Sequence, residues 1–138
     1  MNVYLDTSVI LSRLLDQSNR LSSWGKWKTC YTSALTSVEF LRTVDRMRLN
    51  GSLSDRERVE LQDQFKLVWG ATHRVALSQN LLDRASAAMP TVLGTLDTLH
   101  LVTALLVVES RRVQLEFLTH DDQLAVGAHA MGFEVIGV

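Results

Sequence analysis

Short apolar runs alternate with stretches of helical period along the whole chain. Val3, Tyr4 and Leu5 make the first run, and Val9, Ile10, Leu14 and Leu15 follow at the spacing of one helix face. A polar loop over residues 16–28 precedes a second short run, residues 30–35. This reads as a strand leading into a helix over residues 37–49 that stops at Asn50-Gly51. Ser54 and Glu57 have the spacing of a capping box and predict a helix to about residue 69. There Val59, Leu61, Phe65 and Leu67 carry much of the apolar set, while Arg56, Arg58, Glu60, Gln62 and Asp63 carry the polar one. Residues 74–77 read as an extended piece and residues 79–89 as a short helix closed by Pro90. Residues 96–109 are apolar on nearly every face, which suits a helix buried between a sheet and its neighbours. Residues 115–118 read as a strand, residues 121–131 as a small-residue helix ending at Gly132, and residues 133–136 as a last strand.

Strands separated by helices pair in parallel through right-handed crossovers. The chain therefore reads as α/β, with a parallel central sheet flanked by helices on both faces and residues 3–5 as its central strand. In such open sheets, sites lie beyond the carboxyl ends of the strands. No repeat, low-complexity tract or linker divides the pattern. A chain of 138 residues with 46% hydrophobic content suits one domain over residues 1–138, large enough to bury roughly two-thirds of its unfolded surface.

Charge narrows the partners. Fourteen Lys and Arg against fifteen Asp and Glu give a net charge of −1, so no overall basic field draws the protein to nucleic acid, and any such contact must be local. The lone Cys30 has no internal disulfide partner, and Asp6 breaks the N-terminal apolar run, so the expectation is a reducing, cytoplasmic setting without a signal peptide. The longest wholly apolar run, residues 104–108, is far below the ~20 residues a membrane span needs.

Four acids then stand out. Asp6, Glu39, Asp97 and Asp121 each fall where a strand gives way to a helix or within a helix's opening residues. Each has a structural explanation of its own. Asp6 can cap the first helix, Glu39 completes a capping box with Thr36, and Asp97 sits where a helix dipole favours negative charge. Asp121 can cap the next helix, in competition with a box formed by Thr119 and Asp122. These explanations do not account for all four acids meeting on one sheet edge. Two carboxylates ~5 Å apart at an effective dielectric of ~20 repel by about 3 kcal/mol, so such a cluster protonates or splays unless a cation neutralises it. Oxygen-only ligands without a Cys or His cluster favour Mg²⁺ or Mn²⁺ over zinc. Mg²⁺ held by a few carboxylates and a substrate phosphate is the arrangement of phosphodiester hydrolysis.

The segments Val3-Tyr4-Leu5-Asp6-Thr7-Ser8, Ser37-Val38-Glu39-Phe40-Leu41-Arg42, Leu96-Asp97-Thr98-Leu99-His100-Leu101-Val102-Thr103-Ala104 and Phe117-Leu118-Thr119-His120-Asp121 resemble the four signature blocks of PIN-domain proteins. The chain is most similar to VapC toxins, single PIN domains encoded beside an antitoxin. The resemblance implies Mg²⁺- or Mn²⁺-dependent hydrolysis of RNA, a homodimer, and inhibition by an antitoxin whose C-terminal segment covers the acidic pocket. By position it implies Asp6, Asp97 and Asp121 as metal ligands, Glu39 as the helix-borne acid, Thr7 or Ser8 as a nearby hydroxyl, and Thr119 as the hydroxyl supporting the site. Of the neighbours Asp121 and Asp122, it is Asp121 that is read as facing the metal.

Trp24-Gly25-Lys26-Trp27-Lys28 interleaves aromatics with cations in a loop read as lying near the site edge, as a base-stacking element would; packing on the core or on a partner is the other reading. Arg42 and Arg46 stand one turn apart beyond Glu39 and could guide a backbone phosphate, although solvated charges explain them nearly as well; Arg13 is similarly ambiguous. His100, one turn after Asp97, reads more readily as a buried, hydrogen-bonded histidine than as a proton carrier. Cys30 reads as a small core residue. The chain has no Gly-x-Ser-x-Gly elbow, no glycine-rich turn after the first strand and no receiver-domain set of paired acids, acceptor Asp and lysine. The competing reading that survives is a non-catalytic or weakly active RNA-binding module on the same fold.

Overall fold

The first apolar run becomes the middle strand of a five-stranded sheet. In the computed structural model, which describes residues 1–138, β1 (Asn2–Leu5) pairs with β2 (Thr29–Ser33) on one side and β4 (Glu116–Leu118) on the other. The outer strands are β3 (His73–Val75) beside β2 and β5 (Glu134–Ile136) beside β4. All pairings are parallel and the order is β3-β2-β1-β4-β5. The helices are α1 (Thr7–Leu14), α2 (Leu35–Leu49), α3 (Asp55–Gly70), α4 (Gln79–Ala85), α5 (Thr95–Arg111) and α6 (Asp122–Ala130).

Alternation along β1 divides the core in two. Val3 and Leu5 pack with Val9 and Ile10 of α1, Phe40 and Val44 of α2, and Phe65 of α3. Tyr4 points the other way, into a cluster with Leu101 of α5, Phe117 of β4 and Leu124 of α6. The sheet is thus covered on both faces, as a parallel sheet requires. Each fully buried aliphatic or aromatic side chain contributes about 1.5–3 kcal/mol. The rings of Phe40 and Phe65 stack with centroids 4.1 Å apart, joining α2 to α3. Leu81 of α4 packs on Leu99 and Val102 of α5.

Several boundaries differ from the sequence pattern by one to four residues, and two of the shifts have a visible cause. β2 ends at Ser33 rather than at residue 35, because the Ser33 hydroxyl accepts the Leu35 N–H at 3.0 Å and starts α2 there. α4 ends at Ala85 rather than at residue 89. Ser86 turns its hydroxyl back onto the Leu82 carbonyl at 2.9 Å, and residues 86–94 cross to α5 without helical structure. The box of Ser54 and Glu57 forms as expected and opens α3. No helix is long and apolar enough to cross a membrane.

The strand order places a switch point at the centre of the sheet. From β1 the chain moves outward through β2 to β3, then returns to lay β4 and β5 on the other side of β1. The crevice beyond the carboxyl ends of β1 and β4 is where ligands of such sheets are bound. The Asp6 N–H donates to the Leu118 carbonyl at 3.0 Å across it.

Candidate metal centre

Asp6 follows β1 directly and is buried, with 6% of its surface exposed. Its extended backbone lets the carboxylate cap α1 through the Ser8 N–H. The same oxygen, Oδ2, accepts the Ser8 hydroxyl at 2.5 Å and the Thr119 hydroxyl at 2.9 Å. Both hydroxyls are held from behind: Ser8 Oγ accepts the His120 N–H at 2.9 Å, and Thr119 Oγ accepts the Asp121 N–H at 3.0 Å. The first acid is therefore tied to the connection that carries the fourth.

Glu39 lies in α2, but the expected box with Thr36 does not form. α2 begins at Leu35 behind an Ala34 cap that makes no side-chain bond, so Thr36 is inside the helix. Its hydroxyl is buried and meets Thr32 Oγ at 2.7 Å. Freed of capping, Glu39 reaches the sheet edge, where Oε1 accepts from Thr7 Oγ at 2.7 Å and from His100 Nε2 at 2.5 Å. His100 is buried, bonded through Nδ1 to the Tyr4 hydroxyl at 2.7 Å, and its Nε2 also stands 3.6 Å from Asp6 Oδ1. Burial alone lowers the imidazole pKa, but the Glu39 bond and the charges of Asp6, Glu39 and Asp97 outweigh it and leave the group above its usual value. For Glu39, burial pushes the carboxyl up, while the bond and charge of His100 and the Thr7 bond bring it below the ordinary range.

Asp97 sits in the first turn of α5. Its carboxyl is held above the usual carboxylate range, first by burial, then by the charges of Asp121 and Asp6, with Glu39 adding to them and His100 opposing. Asp121 caps α6 by accepting the Leu124 N–H at 2.8 Å. The competing box of Thr119 and Asp122 is absent, because Thr119 is fully buried and its proton goes to Asp6. Asp122 is the exposed first residue of α6, and the charge that bears on Asp97 is that of Asp121.

The aromatic loop lies elsewhere. Residues 24–28 lead into the amino end of β2, and the Lys28 N–H donates to the Met1 carbonyl at 2.8 Å, so this loop occupies the sheet edge opposite the acids. This corrects its expected place near the site. A strand of about 5 residues separates the two edges by roughly 17 Å. Trp24 and Trp27 are half-buried against the core and meet edge to face with centroids 5.2 Å apart, while Lys26 and Lys28 are exposed. Arg42 is exposed and paired with Asp45 at 3.2 Å; Arg46 is exposed and has no carboxylate partner. Cys30 is buried in the core, which pushes its thiol up to about 11.

Sequence reasoning gave no role to Tyr4, Ser12 or His120. His120 fastens the edge, with Nε2 against Ser12 Oγ at 2.9 Å and Nδ1 against the Gly137 carbonyl at 2.6 Å. For Tyr4 and His120 the available signal was a polar residue inside an apolar strand or just after one; Ser12, inside α1, offered none.

A family model for the PIN domain matches residues 3–129, a span that includes all four acids and every strand but β5. The chain belongs to the PIN domain family. PIN domains are generally metal-dependent nucleases. No curated protein matches the chain. The donor chemistry of this PIN domain fits a hard divalent cation, since carboxylate and hydroxyl oxygens face the edge and the mutual repulsion on Asp97 is what a cation relieves. No three His, Cys, Asp or Glu side chains close into a cage of their own. A hollow of about 580 Å³ lies at the opposite sheet edge between the ends of α5 and α6, lined by side chains such as Leu105, Val108 and Phe133. It gathers no comparable set of acids.

Proposed function

We propose that this PIN domain, spanning residues 1–138, is a Mg²⁺- or Mn²⁺-dependent endoribonuclease of the VapC toxin kind. In this reading it acts in the cytoplasm as a homodimer and is silenced by an antitoxin whose C-terminal segment covers the acids. The observation that carries the nuclease reading is the gathering of acids beyond β1 and β4: Asp6 is tied through Thr119 to the connection bearing Asp121, Asp6 and Glu39 share His100 Nε2 as a neighbour, and Asp97 opens α5 within reach of their charges. Charges of one sign gathered at a switch point cost stability, and a bound cation offsets that cost.

Asp6, Asp97 and Asp121 would hold the cation, and Glu39 would complete its shell or orient the attacking water. When bound, the ion lowers the pKa of a water and stabilises the leaving oxygen. The hydroxyls of Ser8 and Thr119 fix Asp6 through Oδ2, leaving Oδ1 for the site. Thr7 restrains Glu39 in the same manner. The attacking water would add its oxygen to phosphorus as the bond to the ribose oxygen breaks, its proton passing to a carboxylate while the departing ribose oxygen takes a proton from solvent water. Arg42 and Arg46, on α2 beyond Glu39, are the cations assigned to a backbone phosphate.

The test compares wild type with Asp6→Asn on a panel of structured RNAs, with Mn²⁺ and with EDTA. Cleavage is expected only from wild type with the metal. Cleavage that survives EDTA, or that ignores the substitution, would remove the mechanism. RNA binding without cleavage under every condition would favour the non-catalytic module.

A further inference from the structure

His100 and Tyr4 form a buried pair that nothing in the proposed chemistry requires. His100 is 1% exposed and Tyr4 is 0% exposed. A lone polar ring this deep costs several kcal/mol unless both nitrogens are satisfied. Both are: Nδ1 meets the Tyr4 hydroxyl at 2.7 Å and Nε2 meets Glu39 Oε1 at 2.5 Å. A carboxylate only accepts, so Nε2 carries a proton; in the neutral ring, Nδ1 then accepts from the Tyr4 O–H. A protonated ring donates at both positions, so the bond to Glu39 has the same direction in either state. Thr7 donates to the same oxygen of Glu39 at 2.7 Å. Oε1 thus has two donors, while Oε2 accepts no side-chain hydrogen bond.

We infer that Tyr4 and His100 are positioning residues that clamp Glu39 through Oε1 and present Oε2 alone to the metal and its water. This inference rests on Glu39 belonging to the metal-binding set proposed above. Tyr4, rising from β1 towards α5, locks the ring orientation, and Nε2 transmits that orientation to the carboxylate. A Glu side chain has three rotatable bonds, so a ligand held in one rotamer before the ion arrives loses less entropy on binding. The arrangement also explains why α5 carries a histidine among apolar residues: one turn after Asp97, the ring spans from the core to the acid on α2.

Four proteins test the clamp: wild type, His100→Gln, His100→Ala and Tyr4→Phe, all as full chains. The glutamine amide places an N–H donor near the position of Nε2, whereas alanine removes it. Mn²⁺ affinity is read by calorimetry without RNA, and kcat and KM are read separately with RNA at saturating Mn²⁺. The expected result is a Kd for Mn²⁺ weakened about 10-fold or more in His100→Ala, within the 10–100-fold range of lost outer partners, and largely restored in His100→Gln. Tyr4→Phe should weaken it less, and kcat should fall with KM unchanged. His100→Ala binding Mn²⁺ as wild type does, or His100→Gln binding as poorly as His100→Ala with equal melting temperatures, overturns the clamp. If His100→Ala does not fold, Tyr4→Phe and His100→Gln decide it by the same affinities.

A metal-free arm separates this inference from the nuclease reading. In proton NMR of wild type with EDTA, the buried Nε2–H should give a downfield, exchange-protected resonance that vanishes in His100→Gln and shifts upfield in Glu39→Gln. Its absence overturns the clamp whatever the enzyme does. Its presence in a protein that neither binds Mn²⁺ nor cleaves RNA would leave the Glu39 contact standing and sink the nuclease reading together with the clamp's metal-presenting role.

Discussion

Asp97 accepts no side-chain hydrogen bond, and burial, followed by the charges of Asp121 and Asp6, holds its carboxyl up. A group whose folded pKa is raised binds its proton more tightly in the folded state, so its ionised form opposes folding and the penalty grows as pH rises. Asp97→Asn removes that penalty. In EDTA the variant should be more stable than wild type by about 0.5 kcal/mol, a modest figure because the group is part-exposed and screened. Millimolar Mg²⁺ should reverse the order, raising the melting temperature of wild type more than that of Asp97→Asn through preferential binding to the folded state. Equal shifts by calorimetry would place the metal away from Asp97. The Glu39 and His100 pair has a different pH signature in the metal-free protein. Glu39 is lowered, so its contribution is present above its usual 4.5 and is lost as pH falls through the depressed value. His100 is raised, so its contribution is complete below 6.5 and is lost as pH rises through the elevated value. Their joint stabilisation should be greatest between those two usual values. Melting curves of wild type and His100→Gln in EDTA should diverge most there and converge towards the alkaline side; a constant gap across pH would contradict the pairing.

Helix starts show how local sequence and tertiary demand divide the work. Ser54 and Glu57 form a box on an exposed helix end, where nothing competes for either side chain. Ser54→Ala should cost about 1 kcal/mol and lower the melting temperature by several degrees. RNA cleavage at 25 °C should be unchanged, and a large loss of kcat would mean that α3 bears on the site. The box assigned to Thr36 and Glu39 had the same sequence form, yet it is absent because Ser33 bonds the first amide of α2 and because Thr7 and His100 draw Glu39 to the edge. Element type and order were legible, since β1, β4 and β5 carry short apolar runs and the helices are periodic stretches between turn residues, while β2 and β3, which are largely polar, were placed by the spacing between helices. Burial was legible too: the all-apolar α5 is buried along much of its length. What sequence spacing lacked was long-range partnership. Tyr4 and His100 are 96 residues apart, and Thr119 and Asp6 are 113 apart. Such pairs exist only once β4 has returned beside β1, so no local pattern announces them. Asp6 and Asp121 each cap a helix as well as facing the edge. The structural and functional readings of these acids were therefore compatible rather than exclusive.

The net value of −1 does not tell where the candidate RNA-contacting cations lie relative to the four acids of the site. The acids occupy the carboxyl edge of the sheet, and Lys26, Lys28 and Arg13 gather near the opposite edge around Trp24, with the Arg13 guanidinium 6.0 Å from that ring. Trp24 and Trp27 pack on the cluster formed by Val9, Ile10 and Leu21, so their apolar faces are largely committed to the fold. Base stacking requires a free ring face, and one site on a single strand would have to pass the full height of the sheet to use both edges. Trp27→Ala should therefore destabilise the protein by about 2 kcal/mol, while leaving kcat/KM at low temperature near the wild-type value. The decisive variant is Lys26→Ala combined with Lys28→Ala, which removes two exposed cations without touching the core. Its kcat/KM should match wild type, and the slope of its logarithm against the logarithm of salt concentration should be unchanged. A single-stranded phosphate contact contributes about 0.7 to that slope. A slope shallower by about that amount for each lysine would show that RNA reaches the far edge, by wrapping one domain or by bridging two copies of the chain. The same measurement on Arg42→Ala with Arg46→Ala supplies the contrast, because these cations lie on α2 beyond Glu39 and a shallower slope is expected there.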